Sequence, residues 1–355
     1  VRRNRVSGGV AVSSLAAQIE RQRGGCERAG SPLYTRLLED VAADLRVGGP
    51  CSALLVPHGG AAPGDALLLR FLAGVHDLVL AGDAPALATH YPSVGGRPGR
   101  GLRAALTATV EDHGDALAAA LHRPVQTNEA GRSVALLAGY LALAATVDLP
   151  LRILEIGASA GLNLCFDRFR TEAGSHGFGP PDAPLRFVDP YVGAAPDLDR
   201  RVPVAERRGC DLDPIDASTD GGRRRLRSFV WADQLDRLDR LDAALGAIGE
   251  PPEVDRADGL DWLVERLEAP TPGQCTVVVH AIVLQYLAPD RRAQLLEVID
   301  AAGARADHEA PFAWLRTEPG GAVAETRLTV WPGGVPTVVA TSGFHGPPVT
   351  LGRAA

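Results

Sequence analysis

The periodicity of this chain changes once, near residue 150, and that change limits the architectures open to it. Upstream, apolar residues recur at helical spacing, as in Leu68, Leu69, Leu72, Val75 and Val79, which fall on one helix face. Ser31-Pro32 supplies a helix start and Gly48-Gly49-Pro50 its stop. Leu102–Leu121 and Ser133–Val147 carry the same pattern, and no strand is expected in this half. After Asp148-Leu149-Pro150 comes Arg152-Ile153-Leu154-Glu155-Ile156, a short β-favouring run that ends in glycine.

From there strand-like and helical runs alternate. Val204–Asp211, Val254–Asp258, Cys275–Val279 and Phe312–Thr317 read as strands. Thr219–Ile248 reads as a long helix or helix pair, and Leu260–Leu267 and Pro289–Ala302 as single helices. Glu325–Val330 and Thr337–Ala340, separated by Trp331-Pro332-Gly333-Gly334, read as a terminal hairpin. Such alternation predicts an α/β fold with a mainly parallel, Rossmann-like sheet, preceded by an all-helical region. The expected division is a helical cap or acceptor-binding wall at residues 1–150 and an α/β domain at 151–355. Phe166–Arg208, rich in Gly, Pro and Asp, is expected to be an insertion with a short antiparallel excursion.

Leu154-Glu155-Ile156-Gly157-Ala158-Ser159-Ala160-Gly161-Leu162-Asn163 joins a strand to a helix. Small residues at such a junction let backbone approach a ligand, and a helix N-terminus offers free N–H groups. Together with the strand ends downstream, this junction resembles, in order, the segments of S-adenosylmethionine (SAM)-dependent class I methyltransferases. Glu155 stands before the turn, Asp211 ends the second strand, Asp258-Gly259 closes the third, and Val277–Leu287 is similar to the fourth. The resemblance implies that SAM is the cofactor. Glu155, Gly157 and Gly161 would surround its methionyl part, Asp211 would hold its ribose and Asp258 its adenine, with Ala158, Ser159, Asn163 and Gly259 as further cofactor contacts. Ser159 replaces the usual middle glycine. The interval from Gly157 to Asp211 exceeds the roughly 20 residues usual for such a loop and its ribose acid, which the insertion would explain.

The chain also resembles the bacterial domain-of-unknown-function family 2332 over most of its length. The likeness lies in Ser31-Pro32-Leu33-Tyr34, Tyr91-Pro92-Ser93-Val94-Gly95-Gly96, Thr127-Asn128-Glu129, the glycine turn, Arg208–Pro214 and the fourth strand. That family implies no assigned activity.

Several alternatives stay open. His280, at the end of the fourth strand, is either a general base for the methyl acceptor or a packed histidine. Tyr286 either touches substrate or packs in the core, and Asn128-Glu129 either reaches over the cofactor pocket or supplies a helix cap through Asn128. Gly157–Gly161 also matches G-x-S-x-G, so a serine esterase using Ser159 with Asp258, His280 and a His58-Gly59-Gly60 oxyanion loop is a second reading. A non-catalytic Rossmann-like protein is a third.

Composition trims the chemistry. All 36 Lys+Arg residues are arginine, so Schiff-base chemistry and a P-loop lysine are excluded. The formal net charge of −7 makes a nucleic-acid partner unlikely, leaving a small-molecule or protein acceptor. The five scattered cysteines lack C-x-x-C pairs and the histidines lack H-E-x-x-H spacing, so no disulfide framework or metal site is expected. The basic start Val1–Arg5 precedes a stretch too weakly apolar for a secretory segment. No apolar run is long enough to span a membrane, and a cytoplasmic location is expected.

Overall fold

The computed structural model describes residues 2–60 and 65–352, with side chains from residue 11 onward; Val1 and the side chains of Arg2–Arg5 lie outside the described residues. The chain divides into two compact units, Val1–Thr127 with Asp220–Asp239, and Asn128–Thr219 with Arg240–Ala355.

Among its described residues the first unit carries helices and no strand. The helix Pro32–Val47 starts where the sequence indicates: Ser31 Oγ accepts the Tyr34 N–H, and Gly48 closes it in the left-handed region at φ 69°. The helix Leu67–Ala81 buries Leu68, Leu72, Val75 and Val79 in a core cluster that also holds Leu37, Leu38 and Leu106. Leu102–Leu121, expected as one helix, breaks at His113 into Leu102–Asp112 and Gly114–Ala120.

Asp220–Asp239 joins this unit although its sequence neighbours belong to the other. Asp233 accepts Ser31 Oγ–H at 2.7 Å and the Leu33 N–H at 2.9 Å, while Trp231 stacks on Tyr34 at 5.6 Å. Thr219–Ile248 is accordingly a helix pair, Asp220–Ser228 and Leu235–Ala247.

The second unit contains all the described strands: β1 (Leu151–Ile156), β2 (Arg170–Ala173), β3 (His176–Phe178), β4 (Arg186–Val188), β5 (Val204–Asp211), β6 (Val254–Arg256), β7 (Cys275–Ala281), β8 (Phe312–Pro319), β9 (Ala324–Trp331), β10 (Thr337–Gly343) and β11 (Gly346–Leu351). Eight of them form one sheet in the order β11-β10-β9-β8-β7-β1-β5-β6. The run from β6 to β8 is parallel, and β8 to β11 is antiparallel. This is a mixed α/β architecture with a large, mostly parallel central sheet and N-terminal helices.

Strand β7 is buried at every position, as a central parallel strand must be when both faces are covered. On one face Leu154, Ile156, Val278 and Trp314 pack with Trp262, Leu263, Leu295 and Ile299 from the helices Gly259–Arg266 and Pro289–Ala304. The helix Arg132–Ala144 lies across β8–β11. It is buried along nearly its whole length, so it belongs with the sheet, and the compact units part at 127 rather than at 150.

Within 166–208, β2 pairs antiparallel with β3 and parallel with β4 to make a separate small sheet. The expected terminal hairpin is β9–β10, extended by β11, a strand not expected from the sequence because Pro347-Pro348 masks its character. No helix among the described residues is long and apolar enough to cross a membrane.

Candidate functional site

Strand β1 lies between β5 and β7, so its carboxyl end is where the strand order reverses direction. Crevices at such ends are where open α/β sheets bind ligands. The turn Gly157–Gly161 sits there. Gly157 adopts φ 67°, and a Cβ on it would lie 2.7 Å from Val283 Cγ2. Glycine is needed on both counts. Gly209 of β5 is similarly required, because a Cβ there would lie 2.5 Å from Ala158 Cβ.

The backbone amides of this turn are occupied from within the chain. Ala158 N–H donates to Cys210 O at 3.0 Å, and Gly161 N–H to Ala158 O at 2.7 Å. Ser159 N–H donates to Asp211 Oδ2 at 2.9 Å. Ala160 and Leu162 N–H both donate to Asn128 Oδ1 at 3.2 Å. Asn128 therefore belongs to the turn and is not a helix cap; Gly131 stands at the N-cap of the helix Arg132–Ala144. The expected open helix N-terminus is absent as well. Leu162–Arg168 is a 3-10 helix kinked at Cys165, where Phe166 stacks on Tyr140 at 4.2 Å.

Asp211 also accepts the Asp213 N–H at 2.9 Å, so it stands at the carboxyl end of β5 and braces the turn. Asp258 acts first as the N-cap of the helix Gly259–Arg266: its Oδ1 accepts the Leu260 and Asp261 N–H groups and pairs with Arg291. That cap was not expected from the sequence, and it leaves Oδ2 as the atom that can face a ligand. Gly259 packs closely on Ile156, with a Cβ position 3.3 Å from Ile156 Cβ.

Three side chains at the turn hold polar atoms that are buried and without a hydrogen-bond partner: Glu155 Oε2, Ser159 Oγ and Asn163 Oδ1. Their residues are 2%, 5% and 3% exposed. A buried polar atom without a partner costs about 1–3 kcal/mol, so these three are the atoms of the turn that remain able to bond a ligand. Burial, reinforced by the negative Asp211, pushes the Glu155 carboxyl well above its ordinary range, although Arg132 opposes the shift.

His280 is not available as a base. Its ring is fully buried, Nδ1–H donates to Glu318 Oε1 at 2.7 Å, and Nε2 accepts Trp314 Nε1–H at 3.0 Å. The acceptance at Nε2 fixes the tautomer. Glu318 Oε1 in turn accepts the Val283 and Leu284 N–H groups at 2.8 and 3.2 Å. Burial disfavours its charge, but these bonds from His280, Val283 and Leu284 hold its carboxyl below the usual range. His280 thus fixes the loop after β7, which presses Val283 onto Gly157.

The esterase triad is not assembled either. Ser159 has the positive φ of 57° that a nucleophile elbow shows, but its Oγ touches no imidazole, and both of its proposed partners are committed elsewhere. His58 ends a short 3-10 turn in the first unit. Tyr286 lies in a 3-10 turn after β7, 44% exposed, and so is a surface group rather than a core one.

Arg132, which sequence reasoning passed over, and Glu129 complete the arrangement. Arg132, 8% exposed, donates to Phe344 O at 3.0 Å and to Ala281 O at 3.3 Å. Glu129 accepts from Gly131 N–H at 3.2 Å and Arg240 at 3.3 Å. Asn128, Glu129 and Arg132 thereby join the glycine turn, the end of β7 and the β10–β11 turn. A polar triplet ahead of an apolar helix was the available signal; its partners, roughly 30 to 200 residues away, were not readable. All five cysteines are buried, and burial pushes the Cys165 thiol up to about 11, so no reactive thiolate is present there at neutral pH.

A mostly parallel sheet whose strand order reverses beside a glycine turn defines an open α/β protein with a crevice at its strand ends. The model of a family described as uncharacterized protein conserved in bacteria (DUF2332) matches residues 16–350, and the chain belongs to that family. No curated protein and no solved structure shows a match.

Proposed function

We propose that the second unit is a Rossmann-like, SAM-dependent methyltransferase domain acting on a small-molecule or protein acceptor. The observation that carries this reading is the strand order. Numbered along the chain, the parallel strands run third, second, first, fourth, fifth (β6-β5-β1-β7-β8), and the glycine turn and Asp211 meet at the switch point between them.

The residues fit the cofactor. Asn163 Oδ1 is an acceptor awaiting a donor, the buried Glu155 carboxyl, protonated on its own, would ionise on pairing with the ammonium of a methionyl tail, and Ser159 Oγ can donate or accept. An ionised carboxylate offers about four acceptor positions, so Asp211 can brace the turn and receive ribose hydroxyls together. Asp258 Oδ2 would take the adenine amine beside Gly259. When bound, SAM supplies a methyl group already activated by its sulfonium. The chain then has to hold the acceptor in line and keep water out. Val283, pressed on Gly157, helps exclude water, and the part-exposed Tyr286 side chain is the acceptor-side contact. A proton from the acceptor leaves to solvent, since His280 is already bonded at both nitrogens and burial keeps the Tyr286 phenol protonated.

Calorimetry with S-adenosylhomocysteine tests the reading. Saturable binding is expected from the full chain and its loss from Asp211→Ala. Folded protein that takes up no heat from this ligand rejects the proposal.

A further inference from the structure

Resting on that reading of the site, we infer that Asn128 is its selectivity residue: it makes the glycine turn refuse phosphate, so the ligand is a nucleoside with a phosphate-free, cationic tail.

A phosphate bound at a strand–turn–helix junction needs backbone N–H groups directed at it. Here every amide from Ala158 to Leu162 already has an acceptor. Two of them, Ala160 and Leu162, converge on one oxygen, Asn128 Oδ1, which arrives from a segment more than thirty residues upstream. That oxygen occupies the position a phosphate oxygen would take. Asn128 is itself buried, and the helix it precedes is anchored through Arg132 to Ala281 and Phe344, so it cannot swing aside cheaply.

The rest of the site has the matching polarity. Asn163 Oδ1 is an acceptor without a partner, the buried Glu155 carboxyl becomes one when a cation pairs with it, and the Asp211 carboxylate stands on the next strand. Phosphate oxygens would meet lone pairs and negative charge where they need donors. An ammonium or sulfonium meets what it needs. A dinucleotide-binding turn presents the opposite arrangement, with free donors at its apex. Asn128 thereby separates two ligand classes that the glycine pattern alone does not.

The experiment compares full-length wild type with Asn128→Ala and Asn128→Asp, each first shown to be folded by circular dichroism. The probes are adenosine, AMP and inorganic pyrophosphate in calorimetry. Wild type should prefer adenosine to AMP by at least about tenfold and ignore pyrophosphate at millimolar concentration. Asn128→Ala frees two amides and should narrow the adenosine preference by about tenfold and gain pyrophosphate binding. Asn128→Asp keeps the acceptor and adds charge, so it should still refuse pyrophosphate. A wild type that binds AMP as well as adenosine overturns the inference, and so does a folded Asn128→Ala with unchanged selectivity and no pyrophosphate binding. Pyrophosphate reads the turn without a nucleoside. Gain of its binding in the alanine variant together with no response to S-adenosylhomocysteine would therefore uphold the role of Asn128 while rejecting the methyltransferase reading.

Discussion

Replacing His280 with phenylalanine separates a structural histidine from a catalytic one. The phenyl ring keeps most of the volume, so the packing change is small. Glu318 loses the imidazole N–H at 2.7 Å, a hydrogen bond to a charged group, and Trp314 Nε1–H loses its acceptor at 3.0 Å inside the core. The first loss is worth about 1.5–3 kcal/mol and the second about 1–3 kcal/mol, so roughly 3–5 kcal/mol of stability should disappear. His280→Asn places an amide N–H near the former Nδ1 and should recover the Glu318 bond but not the Trp314 one, leaving a loss of roughly 1–3 kcal/mol. Urea unfolding monitored by tryptophan fluorescence measures both, since Trp262, Trp314 and Trp331 all lie in the second unit. A catalytic base would behave differently: the phenylalanine variant would unfold at the wild-type urea concentration and lose the acidic limb of its rate profile. Unchanged stability would refute the network argument.

Two further predictions concern pH. Glu155 has a folded pKa raised above its unfolded value of about 4.5, so the folded state holds a proton that the unfolded state releases, and stability falls as pH rises above that value. Glu155→Gln should raise the melting temperature at pH 8 and leave it nearly unchanged at pH 4; an equal gain at both would contradict the burial argument. His76 in the first unit is fully buried, with Nε2 2.8 Å from Ser93 Oγ and Nδ1 3.2 Å from Ser228 O, and burial lowers its pKa from 6.5 to about 4. Its stabilisation is present above pH 6.5 and is lost as pH falls toward 4, on the order of 3 kcal/mol. His76→Gln should flatten that acid limb in melts monitored by circular dichroism.

The periodic parts of the architecture were legible because they are local. The Ser31 cap, the helix Leu67–Ala81 and the strands Leu151–Ile156, Val204–Asp211 and Cys275–Ala281 arise from residue spacing and end signals within a few positions. Glu155, the glycine turn and Asp211 could be selected for the same reason, each lying at the end of a recognisable strand. The sheet neighbours of β1 could not, because pairing β5 on one side and β7 on the other closes loops of about fifty and more than a hundred residues. Similar reasons hid the joining of Asp220–Asp239 to the helical unit, which rests on Asp233 meeting Ser31 and Leu33. The fate of His280 depended on Trp314 and Glu318 from the neighbouring strand, and that of Asn128 on amides of a turn it precedes by about thirty residues. Spacing along a chain determines which groups stand at the ends of elements. Only the packed sheet decides which of their lone pairs and N–H groups are already used, because those partners come from distant segments brought together by burial.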